Sequence, residues 1–376
     1  MKGADIIRNI ADFCRWLARP VLLFYALPWL MVLLAIGTVA QAQIGLYEAH
    51  HRFFGTWIVW WGPLPFPGAY PTLAFITLSL TAKFLIGSPW ERTRAGTTLT
   101  HLGVLVLLYG GLATALTQRD GYIVIPEGQS AASIADYHDR VLKIYREGEI
   151  AEQIPFGALK AGKPVASDLF PFTLTPAVIC RNCAADLIDG KSTPDNSTAR
   201  HGMAEKVALS PLPPEPQDEI NLSGLMFTVT GSGDTDGLYA SLEEVPMIPQ
   251  FTDADGVTYG VQIGRATRDL PFRIHLIDFV REDYPGTAEP RAYRSDIVVE
   301  DGALSWPVRI EMNAPLRYRG YTFYQSSFSI APDGTEKTVL SAVENKGWLF
   351  PYLASAIVFA GLCLHLGLRL AKGRGA

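Results

Sequence analysis

Four stretches of this chain are almost uninterrupted runs of apolar residues, and between the third and fourth the pattern changes from a helical to an alternating period. The first run, VLLFYALPWLMVLLAIGTVA over 21–40, carries no charge. About 20 such residues in a helix cross a hydrocarbon core about 30 Å thick. Pro28 lies inside the run, and membrane helices tolerate an internal proline better than soluble ones do. The second run, 70–87, carries Lys83 near its end. The third, 98–117, carries His101 as its ionisable group besides Tyr109, and the fourth, 348–368, carries His365. All four are predicted to span a membrane. A cleaved signal peptide is the rival reading of the first run, since Lys2, Arg8 and Arg15 precede it. Its length and the second run close behind it favour an uncleaved span.

Lysine and arginine near the span ends set the orientation. The segment before the first run holds Lys2, Arg8, Arg15 and Arg19, the turn between runs two and three holds Arg92 and Arg94, and the tail holds Arg369, Lys372 and Arg374. In a four-span protein these three segments share one side. Both termini are therefore predicted to be cytoplasmic, with residues 118–347 outside. Trp57, Trp60, Trp61, Phe66 and Tyr70, and then Trp348, Phe350 and Tyr352, fall where an outer aromatic belt belongs. The loop over 41–69 reads as an amphipathic surface segment around YEAHHRFFGTWIVWW that turns at PLPFPG, where proline and glycine exclude a helix.

From Asp120 onward the reading is of strands. GYIVIPEG, RVLKIYREG, LMFTVTGSG, DGVTYGVQIG, PFRIHLIDFV, SDIVVEDG, SWPVRIEM, GYTFYQSSFSI and KTVLSAVE follow one another with turn residues between them. Phe272, Ile274 and Leu276 alternate with Arg273 and His275, the pattern of a strand with one wet face. Glu300-Asp301-Gly302 and Asp333-Gly334 are hairpin signals. The predicted architecture is an integral membrane protein with four transmembrane α-helices and a large, mainly antiparallel β extracytoplasmic domain. It divides into a membrane region over 1–117 with spans at about 21–40, 70–87 and 98–117, a β-rich domain over 118–347, and a final span with a basic tail over 348–376. Residues 190–219 are polar, proline-rich and without period, and read as a flexible insert.

Composition supports this division. The 376 residues are 48% hydrophobic and 18% charged, low in charge for a soluble protein of this size. The net charge of -5 comes with no basic stripe, so nucleic acid is not an expected partner, whereas the lipid bilayer is. Four cysteines exclude a disulfide scaffold.

Candidate chemistry centres on histidine and cysteine. His101 sits inside a span, where ionisable groups are costly and tend to be functional. It lies seven residues beyond Arg94, about 10 Å along a helix, in the cytoplasmic half. A neutral imidazole suits haem iron, and the competing reading is a histidine hydrogen-bonded to a neighbouring helix. His365, four residues before Arg369, sits at similar depth. It is either a second haem ligand or a side chain that snorkels to the interface. His50 and His51 are adjacent, so on a helix they point about 100° apart and read as interfacial. Cys180 and Cys183 form CRNC, either a local disulfide or a redox pair, and Ala184 follows where haem attachment needs histidine. Cys14 and Cys363 are single thiols near or within the membrane and read as inert. No acid, base or nucleophile constellation marks the outer domain, so no independent enzymatic activity is expected.

Taken together, GTVAQ at the end of the first span, HLGVLVLLYGG in the third, PFRIHLIDF, VRIEMNAPLRYRGYTFYQSSF and WLFPYLASAIVFAGL resemble the ResB family of the type II cytochrome c maturation system. That resemblance covers most of the chain. It implies a bacterial inner (plasma) membrane location, with residues 118–347 periplasmic. It further implies a CcsA-type haem-handling membrane protein as partner, haem moved outward and presented to apocytochrome c, and His101 in the place of a haem-holding histidine within a span. The WWG at 60–62 is not the tryptophan-rich haem segment of that partner. The rival expectation is a cofactor-free, membrane-anchored docking or assembly subunit of a redox complex.

Overall fold

The computed structural model describes residues 2–86, 91, 94–165, 167, 169–188, 199–245, 247–253, 255–287, 289–331 and 333–373. Arg92 and Arg374 of the expected basic segments lie outside them. The chain divides into two compact units, Met1–Arg119 with Glu344–Ala376, and Asp120–Val343.

Helices build the first unit: α1 (Lys2–Leu17), α2 (Pro20–Ile44), the short α3 (Leu46–Ala49), α4 (Ala69–Ile86), α5 (Ala95–Thr117) and α6 (Phe350–Gly373). Among the described residues, α2, α4, α5 and α6 are long and apolar enough to cross a membrane. Proline at the first position of α2 forfeits only an N–H that a helix start leaves unpaired. The helix runs four residues past the expected boundary at Ala40, because Gln41–Ile44 are helix-compatible although not all apolar. It stops where Gly45 adopts φ 80° and bonds back to the Gln41 carbonyl.

The loop after α2 differs from its expected form. A π-helical turn covers His50–Phe54, and the residues beyond it make a hairpin of β1 (Ile58–Trp61) and β2 (Leu64–Pro67), with Trp60 opposite Pro65. The prolines of PLPFP exclude a helix, as expected, but an isolated two-stranded ribbon accepts them because its outer N–H groups need no partner.

Small residues bring α5 and α6 together. A Cβ on Gly103 would lie 2.6 Å from Val358 Cγ2, and one on Gly110 would lie 2.3 Å from Phe350 Cβ. Gly96 in turn faces His365. Residues 96, 103 and 110 meeting 365, 358 and 350 make the pair antiparallel, with glycine at every seventh position on the contact face.

The second unit is built of strands: β3 (Arg119–Pro126), β4 (Ser130–Arg146), β5 (Glu149–Pro155), β6 (Thr173–Cys180), β7 (Cys183–Leu187), β8 (Val207–Pro211) and β9 (Gly224–Thr230). They continue as β10 (Gly237–Leu242), β11 (Gln250–Thr252), β12 (Thr258–Asp283), β13 (Pro290–Asp301), β14 (Leu304–Glu311), β15 (Leu316–Tyr318), β16 (Tyr321–Ile330) and β17 (Glu336–Glu344). The largest sheet orders them β14-β13-β12-β4-β3-β17-β16-β15, with β5 on β4 and β11 on β12. A three-stranded sheet, β10-β9-β6, and the hairpin β7-β8 complete the unit.

Two cores lie along the large sheet. One gathers Leu142, Ile144, Phe172, Phe227, Phe251, Val261 and Ile263 between the sheet and β10-β9-β6. The other gathers Ile125, Phe272, Ile274, Leu276, Ile297, Phe323 and Leu340. The predicted alternation at 272–276 is therefore real, with the odd neighbours turned outward. DGVTYGVQIG and PFRIHLIDFV, read as two strands, are one 26-residue strand, β12. Pro271 does not break it because it falls in the register shift between Asp269 and Ile274, where no partner strand requires its missing N–H.

The flexible insert expected over 190–219 needs correction. Residues 189–198 lie outside the described ones, but from Ala199 the chain is built into the domain. Leu187 pairs with Val207 in the β7-β8 hairpin, and His201 N bonds the Leu238 carbonyl at 3.0 Å. Polar composition misled here because Asp218 and Asn221 point inward.

Candidate functional site

His101 stands in the first half of α5, partly covered, and among the described residues it makes no hydrogen bond or ion pair. Thr97, one turn before it on the same face of the helix, has its Oγ1 3.2 Å from Nδ1 of His365 on α6. The structure thus brings both span histidines to one helix pair, about one turn apart in depth. The backbone of His365 is packed against Gly96, and its Nδ1 meets Thr97 Oγ1. The threonine hydroxyl can either donate to Nδ1 or accept from it, so the contact orients the ring and leaves both neutral tautomers open.

Among the described residues no group of three or more His, Cys, Asp or Glu is placed to hold a metal ion. A bare ion takes three or four protein ligands, whereas haem brings four nitrogens of its own and asks the protein for one or two. The α5-α6 pair carries two imidazoles, His101 and His365.

His50 and His51 are both exposed, with ring centroids 6.0 Å apart at 89°, and His51 packs on Tyr47 at 4.5 Å. The two rings diverge, as their adjacency predicted.

Cys180 and Cys183 are joined where β6 hands over to β7. Both are buried, at 5% and 6% exposure, against Leu209, Met226 and Leu242. A redox centre must be reached by its partner's thiol. This bridge is largely buried and closes the sharp turn between β6 and β7.

The intervening Arg181 leads to a cluster that sequence reasoning missed. Arg140 on β4 has a side chain that is 0% exposed, and all five of its donors are used. Nε bonds Glu243 at 3.0 Å, Nη1 bonds Asp218 at 2.9 Å and the His138 carbonyl at 3.0 Å, and Nη2 bonds the Asp218 and Asn221 carbonyls at 2.8 and 3.0 Å. Arg181 closes on Asp218 Oδ1 at 2.6 Å, His138 Nδ1 lies 3.0 Å from Oδ2, and Arg265 pairs with Glu243. Burial alone would raise the Asp218 carboxyl, but the bonds from His138, Arg140 and Arg181 outweigh it and hold it down at about 2. A densely paired buried cluster of this kind fixes geometry. It locks the 218–221 segment onto β4.

Comparison with known proteins bears on the same regions. The sequence model of the ResB-like family matches residues 235–356, from just before β10 into the first turns of α6. The chain is also similar to Protein NrfI of Wolinella succinogenes, 26% identical over 282 residues that cover 71% of this chain and 27% of that protein. The chain therefore corresponds to about a quarter of the length of the curated relative it matches.

Proposed function

Residues 235–356 match the ResB-like family, and from that premise we propose that the chain is a haem-handling membrane subunit of the machinery that matures c-type cytochromes. The observation that carries the proposal is the α5-α6 pair, with an unbonded His101 one turn from a His365 oriented by Thr97. His101 is the primary ligand and His365 the supporting one; bound there, haem supplies the iron and the vinyl groups that cytochrome c attachment consumes. The protein's own contribution is positional. The glycine contacts fix the spacing of the two helices, and Thr97 holds the His365 ring at its Nδ1 edge. A CcsA-type membrane protein completes the path outward. The β domain, on the periplasmic side of the inner membrane, braces that partner or receives apocytochrome c.

The test is a pyridine-haem and absorption assay on the purified full chain, wild type against His101→Ala, with and without the CcsA-type partner. Haem present in the wild type and lost in the variant is expected. Haem content and cytochrome c maturation unchanged by His101→Ala would overturn the proposal. Haem absent under every condition would leave a cofactor-free docking subunit in its place.

A further inference from the structure

The first helix has a role that neither the spans nor the β domain accounts for. At 100° per residue, Arg8, Asp12 and Arg15 share one face of α1, and Phe13, Trp16 and Leu17 share the other. Among the described side chains of α1, the apolar face is covered by protein at its end. Leu17 and Ala18 are buried against Ala82 beside Leu22 and Phe75, and Ser79 Oγ donates to the Leu17 carbonyl at 2.8 Å. Phe13, one turn before Leu17, is 58% exposed and the adjacent Trp16 is 42% exposed, their rings stacked at 5.7 Å.

We propose that α1 lies in the plane of the membrane surface and binds anionic phospholipid, with Phe13 and Trp16 in the acyl–headgroup boundary and Arg8, Arg15 and Arg19 at the phosphates. Only Ala18 and Arg19 separate α1 from the start of the spanning α2, so α1 leaves the hydrocarbon region at the boundary itself. Its anchor to α4 lies at Ser79 and Ala82, near that helix's last turns and Lys83. A helix held there, apolar on one face and cationic on the other, has the form of an interfacial element. From Lys2 to Arg19 four cations, Lys2, Arg8, Arg15 and Arg19, stand against two acids, Asp5 and Asp12, and even with Arg15 paired to Asp12 at 3.2 Å the net positive charge complements an anionic surface. Tryptophan at the edge of the apolar face prefers the same depth.

The test places a nitroxide on the full chain in lipid nanodiscs, at Phe13→Cys or Arg8→Cys, after Cys14→Ser and Cys363→Ser. A label at Val39→Cys in α2 controls for folding, since it must read as lipid-facing in any properly inserted sample. Collisions with oxygen report lipid, and collisions with a water-soluble nickel chelate report solvent. The expected result is an inversion, with oxygen favoured at residue 13 and nickel at residue 8, and a deeper residue 13 in phosphatidylglycerol discs than in pure phosphatidylcholine. Nickel favoured at both positions overturns the proposal. A residue 13 label sheltered from both reagents assigns the face to a protein partner and overturns it equally. The same depth in the two lipids overturns the anionic-lipid assignment.

Discussion

Thr97 Oγ1 and His365 Nδ1 meet at 3.2 Å across the contact of α5 and α6, although 268 positions separate them in sequence. Hydrogen bonds between membrane helices average about 0.6 kcal/mol, because the separated helices find other partners. A double-mutant cycle of Thr97→Val and His365→Phe, read by denaturant unfolding in detergent, is expected to give a coupling of about that size. A coupling near zero would mean that the two side chains do not hold one another.

The glycine stripe makes a sharper prediction. Gly103→Leu forces a side chain onto Val358, whose backbone N would lie 2.9 Å from the new Cβ, with the Ala354 carbonyl at 3.0 Å. Overpacking of this kind costs about 1–3 kcal/mol. Gly111→Ala, on the same helix but with open space at its Cβ, is expected to be neutral. Thermal melting of both variants in one detergent separates a specific contact from a general intolerance of substitution.

Acid should weaken the β domain through Asp218. Its carboxyl has an ordinary value of 3.8 and is held at about 2 in the fold. A depressed value stabilises the folded state at pH above the ordinary one, and that contribution is lost as pH falls from about 4 to about 2. The difference corresponds to about 2 kcal/mol. Asp218→Asn should flatten this limb of the stability–pH curve. It should also cost about 3 kcal/mol at neutral pH, because the buried guanidinium of Arg140 loses one of its two carboxylate partners and keeps only Glu243. An unchanged acid limb in the variant would show that other carboxylates control it.

Removing the Cys180–Cys183 bridge should affect stability and leave redox function alone. Closing so short a loop is worth about 2 kcal/mol by chain entropy. Cys180→Ser with Cys183→Ser is expected to lower the unfolding midpoint while cytochrome c maturation persists. In the native protein, thiol alkylation after mild reductant should be slow, since both sulfurs are buried. Rapid alkylation would return the pair to the redox class.

The four spans were legible because their signal is local: a run such as 21–40 declares itself without reference to the rest of the chain. So was the alternation at Phe272, Ile274 and Leu276, which the core then confirms. The union of two expected strands into β12 was not legible, because Gly264 and Pro271 look like punctuation until the register shifts that accommodate proline are known. Arg140, Asp218 and Glu243 were invisible for a different reason. Each reads as a solvated charge, and only pairing across 78 and 103 positions turns them inward. His101 and His365 could be placed at similar depth by counting from arginines, but the threonine between their helices could not be read from sequence.

The length of β12 has a mechanical consequence. One strand carries Val261 and Ile263 into one core and Ile274 and Leu276 into the other, and β4 runs beside it across the join. Neither half can open without stripping backbone bonds from a strand the other half needs. The β domain is therefore expected to open as one cooperative foldon, with amides at both ends of the strand exchanging at the same slow, global rate. A load applied to one end, by a docked partner for instance, would be transmitted along a continuous ladder to the other.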